Sequence, residues 1–187
     1  MAKLILSMFT SLDGYIERPN GEFTPPAWSD DVARNWSAYA LSRAGHLVYG
    51  RTNFLFNKKF WPTAEDDADG PSHARTMNSL PKTVFSTTLT GDPGWNARLA
   101  TGDVVDEIAA LKAGTDGDVF SFGGAGMANS LVRHDLVDEY RLMIVPELYG
   151  DGKPLFEPGR PRLALKLAET IQLDTGAVIL RYVRDRT

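Results

Sequence analysis

The stretch Val119-Phe120-Ser121-Phe122-Gly123-Gly124-Ala125-Gly126 decides how this chain is read. Its first half has the apolar character of a buried strand, and the residues that follow, 125 to 133, carry a helical pattern. Glycine lets a ligand come close to the backbone, and the free N–H groups and positive dipole end of a new helix attract anions. Far upstream, His46-Leu47-Val48-Tyr49-Gly50-Arg51-Thr52 repeats the arrangement and adds a guanidinium and a hydroxyl. A guanidinium can grip a phosphate through two parallel hydrogen bonds. Phe85-Ser86-Thr87-Thr88 closes a third strand. All three corners lie where strands end, which is where open α/β sheets bind ligands. Two phosphate-binding corners point to one ligand with several phosphates.

Two common nucleotide motifs do not fit. Read from Gly124, the cluster is G-x-G-x-x-N, with Asn129 where a dinucleotide fingerprint has its third glycine. No G-x-x-x-x-G-K-[ST] string occurs.

Outward from these corners, residues 3–10 read as a central strand, followed by a long loop marked by Asp13-Gly14, Pro19-Asn20-Gly21 and Pro25-Pro26 that could act as a lid. Ser29-Asp30-Asp31 opens a helix ending near Arg43, with Val32, Trp36, Tyr39 and Ala40 on one face. A short helix is expected from Arg51 to about Phe56, a loop from Trp61 to Pro71, a weaker helix over 71–79 and a strand over 82–86. Trp95 to Leu99 reads as a short strand, and Asp103 caps a helix carrying Val104, Val105, Ile108 and Leu111 at helical spacing. The pattern then changes: 140–145, 163–173 and 177–183 are strands with no long helix between them. Strand and helix alternation followed by a strand-rich tail predicts an α/β domain whose mixed, mainly parallel sheet ends in antiparallel strands. With no repeat or linker, residues 1–187 are expected to form one domain.

Composition narrows the function. A chain of 187 residues can bury roughly 70% of its unfolded surface. A net charge of −4 with dispersed basic residues argues against nucleic acid and anionic membranes as partners. No cysteine is present, which excludes disulfides, thiol catalysis and cysteine-ligated zinc, and with three scattered histidines no histidine metal cluster is expected. The apolar start is short and runs into Asp13-Gly14, so it reads as a strand and not a signal peptide; no run approaches the roughly 20 residues of a membrane span. A cytoplasmic protein is expected.

Several short motifs occur together in order: Ser11-Leu12-Asp13-Gly14-Tyr15-Ile16, Leu47-Val48-Tyr49-Gly50-Arg51-Thr52, Val84-Phe85-Ser86, Phe122-Gly123-Gly124-Ala125-Gly126, Leu136-Val137-Asp138-Glu139 and Pro146-Glu147-Leu148-Tyr149-Gly150-Asp151-Gly152-Lys153-Pro154-Leu155-Phe156. In this the chain resembles the dihydrofolate-reductase-like superfamily, and most of all the reductase domain of the bifunctional riboflavin-biosynthesis deaminase/reductase. The resemblance implies a three-layer α/β/α fold, NADPH as hydride donor, a small-molecule substrate and a homodimer. It places Gly50, Arg51 and Thr52 at the adenosine side and pyrophosphate, Ser86 and Thr87 near the 2′-phosphate, Gly123, Gly124, Ala125, Gly126 and Met127 at the pyrophosphate, and Phe122 toward the nicotinamide. The deaminase half has no counterpart in this chain.

Hydride transfer to a C=N or C=O group needs a proton, and Asp13 and Asp31 are the candidate donors. Each has a plainer role open to it: Asp13 as a turn residue before Gly14, Asp31 as a charge at a helix N-terminus. In folate reductases an acid on the first helix anchors the pterin, near the place of Asp30 or Asp31, but Pro25-Pro26-Ala27-Trp28-Ser29 departs from the folate pattern. Trp28, Phe23 and Trp36 could line a pocket for a flat ring, with Trp36 better placed for the core. Three functions follow: a riboflavin-type reductase acting on a compound such as 5-amino-6-(5-phosphoribosylamino)uracil, a dihydrofolate or pterin reductase, and a non-catalytic NADPH-binding regulator.

Overall fold

The first strand, β1 (Leu4–Thr10), is buried along almost its whole length, because a strand covered on both faces must be apolar throughout. Around it the computed structural model, which describes residues 1–21, 26–66, 73–159 and 161–186, builds an eight-stranded sheet. Its other members are β3 (Ala44–Gly50), β4 (Lys82–Phe85), β5 (Ala97–Leu99), β6 (Asp118–Ser121), β7 (Glu139–Ile144), β9 (Leu165–Gln172) and β10 (Val178–Arg184). The order is β5-β4-β3-β6-β1-β7-β10-β9. Every pairing from β5 across to β7 is parallel, whereas β10 runs antiparallel to both β7 and β9.

Helices cover both faces. On one, α3 (Arg51–Phe60) and α4 (His73–Ser79) set Phe54 and Met77 against Ile5, Leu47, Tyr49 and Val84. On the other, α5 (Val104–Gly114) and α6 (Ala125–Arg133) pack Ile108, Leu111, Met127 and Leu131 against Leu4, Leu6, Met8 and Val48. The result is three layers, as expected.

The helix opened by Ser29 is less regular than its sequence pattern. The Ser29 hydroxyl caps it by accepting from the Val32 N–H at 3.2 Å, and α1 (Asp30–Val32) passes through a π-helical stretch, Ala33–Ala38, into α2 (Tyr39–Arg43). Arg141 accounts for the wide turn. Its buried guanidinium lies over the rings of Trp36 (4.7 Å) and Tyr39 (4.2 Å) and donates to the carbonyls of Asn35 and Trp36. A π-helical turn widens the backbone ladder, and these carbonyls gain a charged donor from the neighbouring strand. Burial pulls the Arg141 pKa down to about 10. Trp36 itself faces inward, against Phe9 at 5.0 Å.

Other departures are local. The expected lid segment contains β2 (Tyr15–Glu17), paired with β8 (Lys153–Pro154), so part of it is tied down by backbone hydrogen bonds. Helix α3 continues to Phe60, and a 3-10 turn follows at Trp61–Thr63. Trp95 and Asn96 take positive φ, which delays β5 to Ala97. Val105 is exposed although Ile108 and Leu111 are buried, since the apolar stripe of α5 is narrow. Strand β9, at the edge of the sheet, is exposed at successive residues, so both of its faces are largely uncovered.

Candidate functional site

The parallel strands all finish on one rim, and there the two glycine corners meet. Gly50 is the N-cap of α3, and a Cβ added to it would lie 3.4 Å from Cβ of Met127 in the first turn of α6. Asn53, one turn into α3, donates from Nδ2 to the carbonyl of Phe122 at 3.3 Å. The upstream corner is therefore locked to the downstream one. This follows from topology, since β3 and β6 are parallel neighbours and each delivers its glycine to the same end.

Gly123 and Gly124 hold φ of 129° and 84°, a region that L side chains rarely enter. A Cβ on Gly123 would meet Met8 Sδ at 3.1 Å and Asn53 Nδ2 at 3.2 Å, whereas nothing lies within 4 Å of one on Gly126. The first intrahelical bond of α6 is Ala128 N–H to the Gly124 carbonyl at 3.0 Å. The N–H groups of Ala125, Gly126 and Met127 precede it and face the open ground above Gly126 as helix-start donors. The glycines and the start of α6 thus form an open backbone cradle. The side chains of Ala125 and Met127 are buried, so these two residues could meet a phosphate only through their backbone.

Beside the cradle a cleft of about 530 Å³ is bounded by Arg51, Phe85, Ser86, Thr87, Thr88, Ala100 and Gly102. Arg51, Ser86 and Thr87 thus share one cavity, while Thr52 is exposed next to Arg51 on α3. Ser86 Oγ accepts from the N–H groups of Thr88 (3.2 Å) and Leu89 (3.0 Å), which shapes the turn and leaves Thr87 and Thr88 exposed. The far wall is organised by Glu107. Its buried carboxylate accepts two bonds from Arg98 (2.6 and 3.2 Å) and others from the N–H groups of Thr101 (2.8 Å) and Gly102 (3.3 Å). These bonds, that of Arg98 foremost, hold its pKa down to about 2.

The rest of the rim, over β1, β7 and the β9–β10 turn, has another character. Asp13 accepts from the Ser11 hydroxyl (2.6 Å), the Tyr149 N–H (3.1 Å) and the Gly150 N–H (2.8 Å). The Ser11 bond, reinforced by the backbone donors, holds its pKa down to about 2. Through these bonds Asp13 joins the β1–β2 turn to the loop after β7. Asp31 is half-buried, accepting from Asn35 Nδ2 (2.8 Å) and the Asp174 N–H (3.2 Å), and Arg34 lies 3.8 Å away. Trp28 is exposed on the same side, Trp36 belongs to the core, and Phe23 falls outside the described residues.

Sequence reasoning missed two residues that build the site. Asn53 joins the corners, and its only signal is a polar residue in the first turn of α3. Asn129 donates to the Ala125 and Leu155 carbonyls (2.8 and 2.9 Å) and accepts from the Glu157 N–H (2.9 Å). It occupies the position where a dinucleotide fingerprint has glycine, and its task is to fasten residues 155–157 to α6. Among the described residues, no group of three or more His, Asp or Glu is placed to hold a metal ion, and no helix is long and apolar enough to cross a membrane.

Residues 2–179 match the family model of the RibD C-terminal domain. The chain belongs to the RibD C-terminal domain family. It is 30% identical over 180 residues to the uncharacterized protein YyaP of Bacillus subtilis, covering 96% of this chain and 94% of that one. Among solved structures, a putative riboflavin biosynthesis protein from Shewanella sp. PV-4 superimposes with a TM-score of 0.76 at 27% identity, covering 98% and 99% of the two chains. The diaminohydroxyphosphoribosylaminopyrimidine deaminase/5-amino-6-(5-phosphoribosylamino)uracil reductase of Thermotoga maritima matches at TM-score 0.68 and 16% identity, over 98% of this chain and 57% of that one. Dihydrofolate reductase from Enterococcus faecalis, complexed with NADP(H), matches at 0.64 and 12% identity over 98% and 96% of the chains. The RibD C-terminal domain fold seen here is thus a dihydrofolate-reductase-like α/β/α sandwich, as the ordered motifs implied.

Proposed function

We propose that this protein is an NADPH-dependent reductase of the RibD type, reducing a small heterocyclic or ribosylamino compound. The observation that carries the reading is the contact of the two corners, Gly50 against Met127 and Asn53 against Phe122, beside a cleft containing Arg51. Gly123 to Gly126 and the start of α6 would hold the pyrophosphate, and Arg51 with Thr87 and Thr88 the 2′-phosphate of the adenosine. Thr52 and Gly50 border the same end. Ser86 supports this end through its turn. Phe122, between β6 and the cradle, would flank the nicotinamide. NADPH supplies a hydride, two electrons, to the carbon of a C=N or C=O group.

The reduced nitrogen or oxygen must then gain a proton. Asp31, on the rim beyond β1, is the carboxylate we assign to that delivery, through water, with Asn35 and the Asp174 N–H fixing its orientation. The reaction most like this is that of 5-amino-6-(5-phosphoribosylamino)uracil reductase, in which a ribosyl group becomes a ribityl chain. We further propose a homodimer working in the cytoplasm. Strand β9, an edge strand with Leu165 and Leu167 exposed, is the surface that supports pairing.

Titration with NADPH and NADH tests the cofactor assignment. Saturable NADPH binding with weaker NADH binding is expected, and equal affinity would remove the role of Arg51. Rapid turnover of dihydrofolate with tight methotrexate binding would replace the RibD-type reading by a folate reductase.

A further inference from the structure

We infer that the hydride acceptor of this protein carries a flat ring and no phosphate group, is uncharged or cationic, and is held at the rim over β1, β7 and the β9–β10 turn. The inference rests on the proposed function and narrows its substrate class. Phe122 follows β6, and the next strand across the sheet is β1, so an acceptor meeting the nicotinamide lies toward β1 and β7.

The described residues of the loops there are 11–21, 26–32, 145–153 and 173–177. Among them are seven carboxylates (Asp13, Glu17, Asp30, Asp31, Glu147, Asp151 and Asp174) and two cations, Arg18 and Lys153. Both cations already face acids. Arg18 bonds Glu147 at 3.1 Å and stacks on Tyr149 at 5.1 Å, and Lys153 sits opposite Glu17 in the β2–β8 pairing. Arg34, the next cation along the chain, lies beside Asp31. Among the described residues, a phosphate entering this rim would meet Asp13, Asp31, Glu147 and Asp174 and no cation without an acid beside it. Like charges brought together act against the wrong partner.

The same loops expose apolar side chains. Leu12 is 68%, Trp28 55% and Leu148 71% exposed. Leu12 and Leu148 stand on neighbouring backbones, since the Leu12 N–H donates to the Glu147 carbonyl at 2.8 Å. An apolar rim with fixed carboxylates suits a flat, hydrogen-bond-donating ring. The contrast lies within one molecule: the cofactor half offers Arg51 and helix-start donors to phosphate, and the acceptor half offers neither.

The test is calorimetric titration of the NADP+-saturated protein with 5-amino-6-ribosylaminouracil and with its 5′-phosphate, at low and high salt. The unphosphorylated compound is expected to bind at least ~10-fold more tightly, with the gap narrowing as salt screens the carboxylates. In Glu147→Gln, which releases Arg18, the gap should shrink as well. Equal or tighter binding of the phosphate overturns the inference, and so does failure of both compounds to bind while NADP+ binds. Failure of NADP+ itself to bind strikes the proposed function instead.

Discussion

The two halves of the rim are built from the same kind of element, the end of a parallel strand, yet they differ in how they meet charge. Over β3, β4 and β6, glycines at positive φ expose helix-start N–H groups, and Arg51 stands in the cleft. Over β1, β7 and the β9–β10 turn, N–H groups are consumed by acids: Asp13 takes those of Tyr149 and Gly150, and Asp31 takes that of Asp174. The difference teaches that a strand end is an anion site only where its backbone donors are left unspent. Where carboxylates occupy them, the same architecture repels anions.

The largest blow to the cofactor half should come from Gly123→Val. The positive φ carries strain of about 1–3 kcal/mol for a side chain, and the new atoms would press on Met8 and Asn53. NADPH binding should be lost in a titration, with a lower Tm in the same sample.

Arg51→Met sharpens the comparison by removing charge without touching the fold. A charged hydrogen bond contributes about 1.5–3 kcal/mol, so NADPH should bind roughly 10- to 100-fold more weakly while NADH is little changed. Equal losses for both cofactors would move Arg51 away from the 2′-phosphate.

Arg141→Met probes the other half from below. It leaves the buried Asn35 and Trp36 carbonyls without their donor, at a cost of about 1–3 kcal/mol in denaturant unfolding. NADPH affinity of the folded variant should not change, because Arg141 serves the helix that carries Asp31.

A pH effect belongs to the cofactor half. His46, buried beneath it with Nε2 2.9 Å from Thr83 Oγ1, has its pKa pulled down to about 4 by desolvation, with Arg98 and Lys82 adding to the shift. Between about pH 4 and 6.5 the unfolded chain binds the proton more readily than the folded one, so stability rises with pH across this window and is lost on acidification. Thermal melts of His46→Gln should flatten this slope. The smallest change is expected from Asp13→Asn: with the native carboxyl ionised down to about pH 2, the pH–rate profile between pH 5 and 9 should keep its shape.

Much of this was legible in the sequence. Continuous apolar runs such as Leu4–Thr10 mark strands buried on both faces, and Gly123-Gly124 mark a corner because their positive φ suits glycine. The caps Ser29 and Asp103 behave as their residue types predict. Illegible were features set by contacts distant in the chain. The π-helical turn depends on Arg141, 106 residues after Asn35. The role of Asp13 depends on N–H groups 136 and 137 residues away. A residue before glycine reads equally as an acid for catalysis or as a turn former, and its remote donors are invisible in the sequence.

A crystal structure of the protein grown with NADP+ tests the central claim most directly. The account predicts the pyrophosphate within hydrogen-bond reach of the Gly124–Gly126 backbone and the 2′-phosphate on Arg51, one molecule touching both corners. A dinucleotide bound elsewhere, or resting on one corner with the other untouched, would contradict it.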